Sequence, residues 1–266
     1  MTVWRVLIFC LITVFLLCGT TEGCPYPAKS PAADCRLSAV GAQIVAGWDS
    51  FSPAVSFAPS LKLTLEELDS TVTACRNGCP DRFWVGSDYA YTYVLQDGIA
   101  CITEYRPSCG GDGAAYRFGA DERDAFLRRW HTAVESLLTG IGQCQSAEAR
   151  ERLLHDRLLA RCRYSADGRF CATAYGAIVE GKANCEGYAR ALLYLLQRAG
   201  IPCRYVEGLG GGRPHAWVAV YINGSWRHTD PCWNDSGSVP THTYFNLSEA
   251  QIRWDHEPTG GERSVG

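Results

Sequence analysis

Apolar residues recur along this chain with two periods. Between 121 and 138, Phe126, Leu127, Trp130, Val134, Leu137 and Leu138 fall at helical spacing, and Gly140-Ile141-Gly142 ends the run. Ser146, with Glu148 and Glu151, opens a second amphipathic helix over 146–162, with Leu153, Leu154, Leu158 and Leu159 as its stripe. Upstream, Thr64 followed by Glu67 is a capping-box pattern, and Asn77-Gly78 breaks the helix it starts. A fourth helix runs from Cys185 through Ala189, Leu192, Leu193, Leu195, Leu196 and Ala199. Asn184 is its N-cap, Gly200 stops it and Pro202 follows.

The second period is two. Runs at 82–85, 89–95 and 99–105 read as strands, and Asp97-Gly98 between the last two is a hairpin signal. Residues 215–222 (HAWVAVYI) alternate, Asn223-Gly224 is a second hairpin turn, and 225–231 is the return strand. Residues 24–60 are rich in Pro, Ala, Ser and Gly without a period and read as a flexible lead. The composition does not shift between 61 and 256. One domain is therefore expected there, with its core at 146–256 and a tail at 257–266.

Composition narrows the partners. The net charge of −3 and the lack of a Lys/Arg run predict no nucleic-acid binding and no attraction to anionic membrane. Arg5 followed by an apolar stretch over 6–17 and small residues before Cys24 predicts an export signal at 1–23. That stretch is short for a membrane span, although an uncleaved N-terminal anchor or a lipid anchor is the rival reading. The expected location is therefore secreted or cell-surface, with no integral span after signal removal. The chain has 14 cysteines. In an exported protein most are expected in disulfides, and the Cys75/Cys79 and Cys101/Cys109 spacings are not those of a zinc ribbon. No metal and no organic cofactor is expected. Gly208 to Gly212 precedes a strand rather than a helix, so it is read as a mobile loop and not a phosphate cradle.

Three residues carry candidate chemistry. Cys185 opens a helix, where free backbone N–H groups and the dipole stabilise a thiolate and can hold an oxyanion. Gly187 lets substrate approach the first turn. In the hairpin, a two-residue turn pairs Ile222 with Ser225 and Tyr221 with Trp226. By extension Trp217 falls opposite Asp230, and His215 opposite Cys232. His215 and Asp230 then share a face as diagonal neighbours, about 7–8 Å apart at the backbone. A carboxylate so placed fixes the imidazole tautomer and stabilises imidazolium. His228 is a rival base on the same face. Cys232 is a rival nucleophile, read instead as disulfide-bonded.

The stretch GKANCEGYARALLYLLQRAGIPCRYVEG, followed by HAWVAVYINGSWRHTDPCWND, resembles the transglutaminase-like superfamily, above all its compact, mostly bacterial members. LTLEELDSTVTACRNGCPDRFWV upstream and TYFNLSEAQIRWDHEP downstream extend the likeness over 60–256. Val218 and Cys232 depart from the family's usual pattern. The resemblance implies a papain-like α+β fold in which the helix bearing the nucleophile packs on an antiparallel sheet. It also implies Cys185 as nucleophile, His215 as base and acid, and Asp230 as orienter. The expected function is a thiol hydrolase or acyltransferase acting on the amide bonds of a protein or peptide substrate. A binding module that keeps the fold without catalysis is the alternative, and a disulfide-stapled structural protein the third reading.

Overall fold

The computed structural model describes residues 35–110, 114–235, 239 and 241–259. The expected export signal lies outside them, as does most of the tail. Part of the expected flexible lead is instead helical. α1 (Cys35–Asp49) sends Val40, Ile44 and Trp48 into the core. Their four-residue spacing was hidden among small residues. Trp48 Nε1 donates to the Tyr105 hydroxyl at 3.1 Å, and the Trp48 carbonyl accepts from Trp84 Nε1 at 3.0 Å.

α1 packs against α2 (Leu65–Gly78). The capping box forms as its residues predict. Thr64 Oγ1 accepts from the Glu67 N–H at 3.2 Å, and Glu67 Oε2 accepts from the Thr64 N–H at 3.0 Å. β1 (Val55–Ser56), β2 (Asp88–Gln96) and β3 (Ile99–Ser108) form an antiparallel sheet in the order β1-β3-β2. Asp97 and Gly98, at φ 52° and 79°, make the two-residue turn between β2 and β3. Residues 82–85 do not form the expected strand. They are a turn whose Phe83 and Trp84 are buried, with Phe83 against Trp130 and Tyr175. A short apolar run does not by itself distinguish a strand from a buried loop.

α3 (Arg123–Leu138) and α4 (Ala147–Arg161) follow, α4 capped by Ser146, which accepts from the Ala149 N–H at 3.1 Å. β4 (Arg163–Tyr164) and β5 (Lys182–Ala183) pair in parallel, with a π-helical turn at Gly176–Glu180 between them. α5 (Cys185–Arg198) comes next. It is buried on every side from Gly187 to Leu196, Arg190 included. α4 and the π-helical turn cover it from one direction.

From the other direction α5 meets a four-stranded antiparallel sheet in the order β8-β7-β6-β9. Its strands are β6 (Cys203–Gly210), β7 (Arg213–Ile222), β8 (Ser225–Thr229) and β9 (His256–Pro258). α6 (Glu249–Ile252) packs beside β8. The 208–212 segment is not a mobile loop. Gly208 and Gly210 lie in β6, and Gly211 and Gly212, at φ 56° and 76°, form a tight turn into β7.

The expected disulfide framework is absent among the described residues. Cys75, Cys101, Cys144, Cys162, Cys171, Cys185 and Cys232 carry free thiols. Cys101, Cys162 and Cys232 are buried and serve as small apolar side chains. Among the described residues, no helix is long and apolar enough to cross a membrane.

Candidate active site

The site forms where the N-terminus of α5 meets the β7–β8 end of the sheet. Asn184 Oδ1 accepts from the Gly187 N–H at 3.1 Å, which starts the helix immediately before the half-buried Cys185. Gly187 serves a different purpose from the one expected. A Cβ there would lie 2.3 Å from the Cys171 carbonyl oxygen and 2.7 Å from Ala183 Cβ. The missing side chain lets the helix seat against its own chain and leaves no space for substrate.

The hairpin register places His215 beside Asp230. Ile222 pairs with Ser225, Tyr221 with Trp226 and Val218 with Thr229, so Asp230 follows β8 on the face of His215. His215 Nε2 and Asp230 Oδ2 are 2.7 Å apart. Cys185 is close enough to His215 to contribute to its titration. With Nε2 taken by Asp230, Nδ1 is the ring nitrogen that remains for a second partner. Burial of His215 opposes its charge, but the hydrogen bond to Asp230 and the negative charges of Asp230 and Cys185 outweigh it and raise its pKa to about 9.

Asp230 is fully buried. Its Oδ1 accepts from the backbone N–H groups of Cys232 at 2.9 Å and Trp233 at 3.1 Å. Burial would raise its pKa, yet the bonds from His215, His256 and Trp233 and the His215 charge hold it below the usual carboxylate range. The aspartate therefore stays ionised where an isolated buried carboxylate would not.

His256 is the site residue that the sequence reading missed. It is fully buried in β9. Its Nε2 lies 3.2 Å from Asp230 Oδ2 and its Nδ1 lies 2.6 Å from Asp255 Oδ1. Asp255 Oδ2 in turn accepts from the Tyr244 hydroxyl at 2.7 Å. His256 stands 26 positions from Asp230 and no local pattern marks it. Only the β6–β9 pairing, with Gly210 opposite His256, brings it to the site. Gly210 also makes room for the base, because a Cβ there would lie 2.8 Å from the His215 ring and 3.0 Å from Trp233.

The two rivals are held in other roles. Trp217 Nε1 donates to His228 Nδ1 at 3.0 Å, which leaves the His228 Nε2–H to bond Glu249 Oε2 at 2.8 Å. Burial, opposed by Glu249, keeps the His228 pKa below its ordinary value. Its ring is thus tied to Trp217 and α6. Cys232, expected in a disulfide, is a buried free thiol. Burial, with the charges of Asp230 and Cys185 added, raises its pKa far above the usual thiol range, so it stays protonated and a poor nucleophile.

Among the described residues, two groups bring a pair of histidines and an aspartate within 4.8 Å: His215, Asp230 and His256, and His155, Asp156 and His242. In each, the potential ligand atoms already face one another. Asp156 Oδ1 lies 2.9 Å from His155 Nδ1 and 2.6 Å from His242 Nε2. Arg152, 3.9 Å from Asp156 Oδ2, sets a positive charge against any cation there.

Residues 128–231 match the transglutaminase-like superfamily. The helix-on-sheet α+β arrangement is the one that the sequence resemblance implied. The chain is 38% identical over 99 residues to the kyphoscoliosis peptidases of Homo sapiens and Mus musculus, a match that takes in 29% of this chain and 15% of each relative. It therefore spans a small part of the length of the curated relatives it matches. Among solved structures it is similar to a TGase, at a TM-score of 0.35 and 15% identity, covering 64% of this chain and 49% of that one. It is also similar to a putative cysteine protease from Cytophaga hutchinsonii, at a TM-score of 0.34 and 13% identity, covering 55% of this chain and 62% of the other.

Proposed function

We propose that this protein is a thiol enzyme that cleaves or exchanges amide bonds in a protein or peptide substrate, with Cys185 as nucleophile, His215 as base and acid, and Asp230 as orienter. The observation that carries the reading is the contact of His215 Nε2 with Asp230 Oδ2 at 2.7 Å, with Cys185 among the groups that raise the His215 pKa. His215 takes the thiol proton and the thiolate attacks the substrate carbonyl carbon. The oxygen that gains charge is held by the N–H groups of Cys185 and Glu186, which have no intrahelical acceptor within reach. As the C–N bond breaks, the imidazolium returns its proton to the leaving amine. Water then releases an acid, or a second amine a new amide, and His215 handles the proton in either case. Asp230 holds the ring and stabilises imidazolium, and His256 braces Asp230 at the same Oδ2. Export through residues 1–23 is part of the same proposal.

The test is labelling by iodoacetamide at neutral pH with mass spectrometry of the modified residue. Cys185 is expected to label ahead of every other cysteine. Cys185→Ala is expected to remove that fast phase and Cys232→Ala to leave it intact. Equal loss of the fast phase in both variants would sink the assignment.

A further inference from the structure

On another side of α5, a small cleft is walled by arginines. Arg76 from α2, Arg82, Arg117 and Arg190 from α5 line it, together with Ala172 and Thr173. Its volume is about 30 Å³. Arg190 lies five residues beyond Cys185, about 7.5 Å along the helix and about 140° around it. Arg190 therefore leaves α5 on a different side from Cys185.

The four guanidiniums are not equally provided for. Arg82 is saturated: Nε and Nη2 donate to Asp49 at 3.1 Å each, and Nη1 donates to both Asp81 oxygens at 2.9 and 2.8 Å. Arg190 is only 5% exposed. It donates to Asn77 Oδ1 at 3.2 Å, lies over the Tyr205 ring at 4.5 Å, and has Glu186 at 3.6 Å. Arg76 and Arg117 have no carboxylate within ion-pair distance among the described residues. Arg117 Nη1 donates to the Arg169 carbonyl at 2.6 Å, while its buried Nε has no acceptor. Burial lowers the pKa of both Arg76 and Arg117, and for Arg76 the nearby Arg190 adds repulsion. Arg76, Arg117 and Arg190 thus converge on one cleft, where Arg190 has Glu186 at 3.6 Å. A buried cationic donor without an acceptor is a standing cost, and an anion with several acceptor oxygens removes it. Guanidinium forks suit phosphate and carboxylate oxygens in particular.

We propose that the cleft walled by Arg76, Arg117 and Arg190 binds a compact oxyanion, the phosphate or carboxylate head of a small ligand. The full chain is titrated calorimetrically with inorganic phosphate and, separately, with acetate. Saturable one-to-one binding of at least one probe is expected. Arg117→Gln and Arg76→Gln should each weaken it by about tenfold or more, the value of one charge-assisted donor. Arg253→Gln, which removes an exposed arginine paired to Glu249 on α6, should leave it unchanged. Tighter phosphate assigns a phosphoryl ligand and tighter acetate a carboxylate. Absence of saturable binding of both probes to the unmodified protein overturns the proposal, whatever the variants do. So does binding that Arg117→Gln and Arg76→Gln leave as it was.

Discussion

Two hairpins in this molecule begin from nearly the same local instructions. β2–β3 and β7–β8 both alternate, both are rich in aromatic and β-branched residues, and both close on a two-residue Asx-Gly turn. Asp97 and Gly98 have φ of 52° and 79°, and Asn223 and Gly224 the same values. Yet β2 leaves Tyr93 53% and Leu95 70% exposed, whereas β7 is buried from Ala216 to Val220. β2 is the edge of its sheet, and β7 lies between β6 and β8 with α5 packed on it. The turn and the alternation make a hairpin. What packs against it decides whether it can hold an ionised aspartate away from water.

That difference yields predictions of graded size. The largest concerns Asp230, which holds two histidines and two backbone N–H groups. Asp230→Ala should cost about 3–5 kcal/mol of stability, the usual loss when one partner of a buried ionic pair is removed. Denaturant unfolding measures it. A loss as small as that of a surface substitution would mean that the network does not hold the fold together.

An intermediate effect is expected from pH. The folded pKa of His215 is about 9 against an ordinary 6.5, so the folded state holds that proton more tightly. Its contribution is complete below 6.5 and is lost as pH rises through about 9. The Asp230 pKa is depressed from 3.8, so its contribution is present above 3.8 and is lost as pH falls through the lower folded value. The stability difference between the unmodified protein and His215→Gln should therefore shrink from pH 6.5 to 9. A difference that grows over this interval would reverse the protonation assigned to His215.

The smallest effect belongs to the other hairpin. Leu95→Ser, at the exposed end of β2, should change stability by no more than about 0.5 kcal/mol. A much larger loss would show that β2 is covered in solution and would erase the contrast between the hairpins.

Several elements were legible from local chemistry. The Thr64–Glu67 capping box, the Ser146 and Asn184 caps and both Asx-Gly turns form where their residues predict. The β7–β8 register follows from turn length, because a two-residue turn leaves one pairing and side chains alternate from it. The segments that misled lacked such a signal. Helix α1 hides its Val40, Ile44 and Trp48 stripe among small residues, and 82–85 is an apolar run that forms a buried turn. The cysteines misled for another reason. Whether two thiols bond depends on the meeting of distant segments, which a count of cysteines does not contain.

The sequence by itself determined where α5 begins, that Cys185 stands at that start, and that His215 and Asp230 share a strand face. These depend on caps, turns and a period of two, all of which act over a few residues. Only the tertiary structure decided what surrounds them. It brought His256 against Asp230 through the β6–β9 pairing and turned His228 away toward Glu249. It buried Cys232 as a thiol and gathered Arg76, Arg117 and Arg190 around one cleft. Each of these outcomes joins segments far apart in the chain, and the free energy that selects them comes from burial and from satisfying charge out of water.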